Sequence, residues 1–472
     1  MGFFSCPCTR TLNNSSRHKQ EKEDLSLSSQ SQTTIDHFDT KSLSSQPSLP
    51  SVPSLTSHSQ PPSTTANHHY VTTFKSHTSS IFALTLTPKH LISASSDGQI
   101  RIWPSDVSSN LSLSLSSSLP PIALCGTAVK TMVVHGDKLF TGHQDHKIRV
   151  WKLDEEQKTI KCVVSLPTIN DRIMKLVFAK NYVKIRRHRR CTWVHHVDAI
   201  SALALSKDGS LIYSGSWDRT FKVWRTSDYK CLESVWNAHD DAISAIAVSH
   251  DCVYTGSADR KIKVWKRHDG EKKHRLVDTL EKHKSAVNAL ALSADGSVLY
   301  SGACDRSIIV WEKQVSGGEG RHMAVAGALR GHSKAILCIA VADDIVFSGS
   351  ADKTIRIWRR GINGKSYFSL GVLEGHKGPI KCLAVALEGC ISGNPGGTSY
   401  LVYSGSLDCE IKDVEEMTNY IECSAGLNPV HLSRTFHRCP HYKHVIRRSP
   451  HSYQIRTFQH SFILFLPIPR TY

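Results

Sequence analysis

Acidic residues are in short supply: 41 Asp and Glu stand against 58 Lys and Arg, for a formal net charge of +17. That balance favours acidic partners, whether nucleic acid, anionic membrane or acidic protein surface, and says nothing about fold. Long apolar runs are missing too. FILFLPIP, near the C-terminus, falls short of the ~20 residues that cross a bilayer as a helix. MGFFSCPC lacks the basic start and apolar stretch of a secretory leader. Gly2 is available for myristoylation, but Cys6 stands where that signal wants Ser or Thr. No membrane span is therefore expected. A glycine-rich phosphate loop and a nucleophile elbow are also absent from the sequence. The reading is no enzyme, no catalytic residues and no cofactor. The 14 cysteines are scattered, several inside apolar runs such as AILCIAV and PIKCLAV. Buried, reduced thiols of a cytosolic protein fit this better than a disulfide framework.

Composition divides the chain. Residues 1–68 are rich in Ser, Thr, Gln and Pro, as in SLSSQSQTT and SQPSLPSVPSLTS. With few large apolar residues they cannot offset the entropy of ordering, and they are expected to be a disordered tail. From Tyr70 the texture changes to short apolar strands separated by turn residues.

Those strands repeat. An Asp recurs seven times, as Asp97, Asp145, Asp218, Asp259, Asp305, Asp352 and Asp408, every 41 to 48 residues apart from two larger insertions. Four residues before each stands a hydroxyl: Ser93, Thr141, Ser214, Thr255, Ser301, Ser348 and Ser404. Six residues after the first six stands Trp103, Trp151, Trp224, Trp265, Trp311 or Trp358. Upstream lies an apolar residue such as Ile81, Ile200, Ile243 or Ile336, with His77, His196, His239, His283 or His332 among the residues four positions ahead of it. Such a unit reads as a small antiparallel sheet with two apolar faces, which must stack on its neighbours. Within it, His, Ser or Thr, Asp and Trp can join in a chain of hydrogen bonds. The Asp would accept from the imidazole, and the indole N–H would find a buried partner.

With these spacings, and with GH at Gly331-His332 and Gly375-His376, the chain resembles the WD-repeat β-propellers. The resemblance covers residues 69–412 and implies an all-β fold, a seven-bladed ring. NYVKIRRHRRCTWVHHVDAISALALS, TGHQDHKIRVWK and the Ser-rich tail are similar in finer texture to plant Jingubang-type WD-repeat proteins. That resemblance implies a non-catalytic regulatory scaffold in signalling or transcriptional control, linked to pollen germination and tube growth. The competing class is a substrate-recognition adaptor of a ubiquitin ligase. No F-box or WDxR-like stretch supports it, Trp311-Glu312-Lys313-Gln314 being the nearest.

The seventh unit breaks off. After SGSLDCEIK, Asp413 and Val414 stand where the sixth unit has Ile357 and Trp358. Residues 413–472 leave the repeat and are expected to be a disordered tail, so the last blade should be aberrant and incomplete. Within that tail His437, Cys439, His441 and His444 have zinc-like spacing, but no second ligand pair follows and no metal is expected.

Two features point to partners. The run KIRRHRR, with Arg186, Arg187, Arg189 and Arg190, lies in the insertion over 152–190 and reads as a solvated loop, a nuclear import signal or a contact for acidic partners. If CTWVHH is the outer strand of the second blade, the insertion hangs from the bottom of the ring; if KCVVSLP is that strand, it overhangs the top, and spacing to His196 favours the former. Trp217 alone puts a large aromatic before its Asp, a natural interface anchor. Other proteins are therefore expected on the top face of a monomeric ring, in the cytoplasm and also the nucleus; nucleic acid is not expected.

Overall fold

The computed structural model describes residues 52–57 and 66–418, less 105–120, 155–158, 177–181, 187–188, 315–322, 391–397 and positions 268, 269, 272 and 362. Seven sheets, each with four strands laid down mainly in chain order, make up nearly all of it. Their inner strands are Ile81–Leu86, Val129–His135, Ile200–Leu205, Ile243–Val248, Val287–Leu292, Ile336–Ala342 and Ile380–Cys390. Each inner strand packs on the next and the seventh returns to the first, so the sheets close a ring of blades numbered here 1 to 7.

Glycine explains how closely the blades approach. A Cβ on Gly349 of blade 6 would stand 2.8 Å from Cγ2 of Ile380 in blade 7. The joint between blades 7 and 1 repeats this: a Cβ on Gly405 would stand 2.7 Å from Cγ2 of Ile81. The leading isoleucine of one blade thus fills the space a side chain would take in the blade before it. Between blades 6 and 7 the interface buries Phe347, Ile355, Ile357, Ile380, Val402 and Val414.

The seventh blade is closed by the first long strand of the chain. Ala66–Phe74 pairs antiparallel with Ile411–Thr418, bringing Phe74 opposite Ile411 and Tyr70 opposite Val414. Two expectations change here. The blade has all four strands, and its third strand runs on to Thr418 instead of stopping at 412. Backbone pairing with the latch holds that strand through Asp413, which is fully buried at 0% exposure. Residues from 419 onward, with the zinc-like His437 to His444 cluster, lie outside the described residues.

The N-terminal tail is also not wholly free. Thr56–Ser57 forms a fifth, parallel strand on the outer edge of blade 6, and Val52 is buried against blade 5. The propeller therefore starts at Ala66 and carries a strap of residues 52–57, where composition alone placed a disordered segment to 68.

Strand alternation gives the ring two ends. Turns between second and third strands, which carry the Asp residues, lie at the same end as the links from each outer strand to the next blade; this end is called the Asp face. Blade 2's outer strand is Thr159–Leu166, not CTWVHH. The insertion after it consequently leaves from and returns to the Asp face. It contains a helix, Ile169–Leu176, whose first turn is capped by Thr168 accepting from the Asp171 N–H at 3.1 Å, and a hairpin of Tyr182–Arg186 with Arg189–Thr192. Among the described residues cysteine usage departs from expectation once: Cys338, Cys382 and five others are free thiols, whereas Cys304 is disulfide-bonded.

Candidate partner-binding face

In blade 3 the Trp224 indole N–H donates to Ser214 Oγ at 2.9 Å, and Ser214 Oγ lies 2.8 Å from His196 Nε2. His196 Nδ1 lies 3.0 Å from Asp218 Oδ2. One proton arrangement satisfies every atom: Nδ1–H donates to the carboxylate, and bare Nε2 accepts from the hydroxyl, which accepts from the indole. That imidazole is neutral. Burial, the largest influence on it, pulls the His196 pKa below its ordinary value.

The same chain joins His239, Thr255, Asp259 and Trp265; His283, Ser301, Asp305 and Trp311; and His332, Ser348, Asp352 and Trp358. Burial alone would raise the carboxylates, but hydrogen bonds from the histidine and nearby donors overcome it, holding Asp305 and Asp352 at about 2. Ser–His–Asp is also the order of a hydrolase triad. Here each hydroxyl is wholly buried and already accepts an indole N–H, so no acyl carbon can reach it. The chains are structural staples between strands.

Three blades depart from the pattern. In blade 1, Trp103 and His77 both reach Ser93 at 2.7 Å, but Asp97 turns to the Thr78 hydroxyl and the Gln99 N–H. The expected His77–Asp97 bond is missing, and buried His77 Nδ1 has no hydrogen-bond partner. Burial, then the Arg101 charge, lowers the His77 pKa to about 4. In blade 2, Cys125 occupies the upstream histidine position, and His143 of the second strand fills the gap, its Nε2 2.7 Å from Thr141 Oγ1 and its Nδ1 3.4 Å from Thr127 Oγ1. Sequence reasoning passed over His143, although the signal is present: the other blades have Ser or Ala two residues before Asp, and the one blade lacking the upstream histidine has His there. Blade 7 keeps His376, Ser404 and Asp408 in contact but has Val414 in place of the indole.

The turns put a second pattern on the Asp face. The residue after Asp is left-handed in every blade: Gly98 at φ 84°, and His146, Arg219, Arg260, Arg306, Lys353 and Cys409 between 68° and 74°. Gly or Asn adopts that conformation with less strain, whereas other side chains cost about 1–2 kcal/mol. Blades 3 to 6 nonetheless place Arg219, Arg260, Arg306 and Lys353 there, and among the described residues none of the four forms an ion pair. Arg219, Arg260 and Lys353 are exposed. The result is a cationic arc across four consecutive blades.

Beside it lies Trp217, half-buried, with the Lys130 ammonium 5.6 Å from its ring and 4.3 Å from Phe82. Arg186 and Arg189 pair in the inserted hairpin, Arg190 follows in its second strand, and Arg187 lies outside the described residues. On the opposite face, a cleft of about 1100 Å³ between blades 3 and 4 is lined by both cations and carboxylates. Its lining residue His274 is held by Glu233, which accepts from the His274 N–H at 2.9 Å and from Nδ1 at 2.7 Å.

Five segments match the family model for the WD domain, G-beta repeat: residues 68–104, 188–225, 230–266, 274–312 and 324–359. The fold is a seven-bladed WD-repeat β-propeller. No curated protein matches the chain. Blades 2 and 7, which lie outside the five WD matches, are the ones with the histidine moved and the tryptophan lost. WD40 propellers are in general non-catalytic platforms for other proteins, and the hydroxyls of the staples are buried.

Proposed function

We propose that this propeller is a regulatory scaffold that gathers acidic protein partners on its Asp face. The observation that carries the reading is the arc of Arg219, Arg260, Arg306 and Lys353. Backbone geometry asks for glycine or asparagine at these turns, so cationic side chains there answer a demand other than folding. Trp217, braced by Lys130, supplies an aromatic anchor beside the arc. The net charge of +17 favours the same partners by steering their approach.

The Jingubang-like sequence features support a role in plant signalling or transcriptional control, in the cytoplasm and, through the basic run at 186–190, the nucleus. No observation favours the ubiquitin-ligase adaptor. Oligoglutamate serves as a defined probe for the arc. Titrated into the full chain, it should bind with an affinity that falls as salt rises. Arg219→Ala, Arg260→Ala and Arg306→Ala together should abolish that binding and leave the melting temperature within a few degrees. Undiminished binding by the triple variant would overturn the reading.

A further inference from the structure

The strap at residues 52–57 is held as a ligand is held. Ala328 in the outer strand of blade 5 reads its backbone twice: the Ala328 N–H donates to the Pro53 carbonyl at 2.9 Å, and the Ala328 carbonyl accepts from the Leu55 N–H at 3.0 Å. The Tyr367 N–H of blade 6 then donates to the Leu55 carbonyl at 3.0 Å. Arg330 closes the grip, its amide donating to Thr56 Oγ1 at 3.2 Å and its guanidinium to the Val52 carbonyl at 3.1 Å.

The side chains are selected as well. Leu55 enters a recess made by Gly327, where a Cβ would stand 2.4 Å from Leu55 Cγ, and packs on the cluster containing Tyr300 and Tyr367. Val52 joins the core between blades 4 and 5. Proline fits at position 53 because only its carbonyl is used. Pro53 and Ser54 face solvent.

Buried Val52, half-buried Leu55 and a few backbone bonds must offset the ordering of six residues, a near balance for a free peptide. What tips it is the tether. Only eight residues separate Ser57 from the latch strand in the neighbouring blade 7, which keeps the strap at high local concentration. An outer strand edge with unpaired N–H groups is also a surface on which extended segments add.

We propose that the outer edge where blades 5 and 6 meet is a peptide-binding site for extended segments of the pattern apolar–Pro–Ser–Leu–Thr. Residues 52–57 occupy it in the same chain, and a partner presenting that pattern competes for it. The proposal stands apart from the cationic arc, which lies on another surface.

The test uses the full chain and a fluorescent peptide with the sequence of residues 50–60. The Leu55→Asp chain, its strap released, should bind the peptide at least tenfold more tightly than wild type does. Binding should vanish when the peptide carries the same Leu→Asp change, and when Gly327→Val is added to the chain. Equal affinity for wild type and Leu55→Asp would overturn the proposal, as would binding that survives Gly327→Val. A Leu55→Asp chain that fails to fold would show the strap to be indispensable structure, which also overturns it. So would a wild-type chain that sediments as a dimer while Leu55→Asp stays monomeric, since the straps would then be exchanged between copies.

Discussion

His143 Nε2 meets the Thr141 hydroxyl at 2.7 Å from within the same strand, whereas the other six histidines reach their hydroxyls from the segment ahead of the inner strand. The position left by the upstream residue is taken by Cys125, so the staple of blade 2 has been rebuilt from two changed positions. His143→Ser should destabilise the ring by about 2–3 kcal/mol, because it strands a buried hydroxyl and leaves a void. Adding Cys125→His should recover part of that loss. A denaturant-midpoint cycle over wild type, both single variants and the double checks this, with a coupling near zero as the failing result.

Blade 7 should be improvable. The third-strand position held by Asp413 is Ile102, Val150, Val223, Val264, Val310 or Ile357 elsewhere, and Val414 stands where the other six have Trp. Burying a carboxylate costs roughly 2–4 kcal/mol against an apolar residue. The missing indole removes a packed ring worth about 3–5 kcal/mol where the site has not collapsed. Asp413→Val with Val414→Trp should therefore raise the melting temperature by several degrees, the new indole N–H donating to Ser404. Calorimetry decides; no rise would mean that the blade has already closed around valine.

Acid should loosen the ring before it protonates the staple carboxylates. His77 is neutral in the fold, its pKa lowered to about 4 by burial and then by Arg101, and burial with Arg149 lowers His143 to about 3. In the unfolded chain both titrate near 6.5. Below about pH 6.5 the unfolded chain therefore binds more protons than the native one, and stability falls as pH drops, most steeply between about 6 and 4. Each histidine contributes a slope of about 1.4 kcal/mol per pH unit in that window, or about 3 kcal/mol in total for His77. Asp305 and Asp352, at about 2, add their loss only below about pH 4. His77→Gln should flatten the upper part of the profile by one proton, and an unchanged slope in urea titrations would contradict the assignment.

Trp217 separates binding from folding. It is half-buried against Lys130 and belongs to none of the core clusters. Trp217→Ala should therefore weaken an Asp-face partner by about 2 kcal/mol while leaving the melting temperature nearly unchanged. Replacing Arg186, Arg187, Arg189 and Arg190 by Ala should instead lower the nuclear fraction of a fluorescent fusion; identical distributions would reduce the run to a solvated hairpin.

The ring was legible because Asp and Trp sit at opposite ends of one short strand, fixing its length in every blade. Where a side-chain pattern did not fix the structure, the reading went astray. Thr159–Leu166 is exposed along much of its length and lacks strong alternation, so CTWVHH looked the better outer strand. Asp413 broke the apolar pattern, yet the latch holds that strand through backbone bonds that ignore side chains. The strap VPSLTS has no periodicity of its own, since the edges of blades 5 and 6 impose its conformation. The cationic arc was hidden for another reason: an arginine after an aspartate becomes notable only when its backbone is seen to be left-handed.

The latch also sets a timetable. During synthesis Ala66–Phe74 emerges before any inner strand, but its partner Ile411–Thr418 emerges last, after roughly 340 further residues, a large loop to close. Six blades can stack in the meantime, yet Ile81 has no Gly405 to enter and the flank of blade 1 stays bare. A chain that stops after blade 6 therefore leaves an open arc whose two end blades expose the flanks that blade 7 would cover. The quality of the whole product rests on its final few codons of sheet.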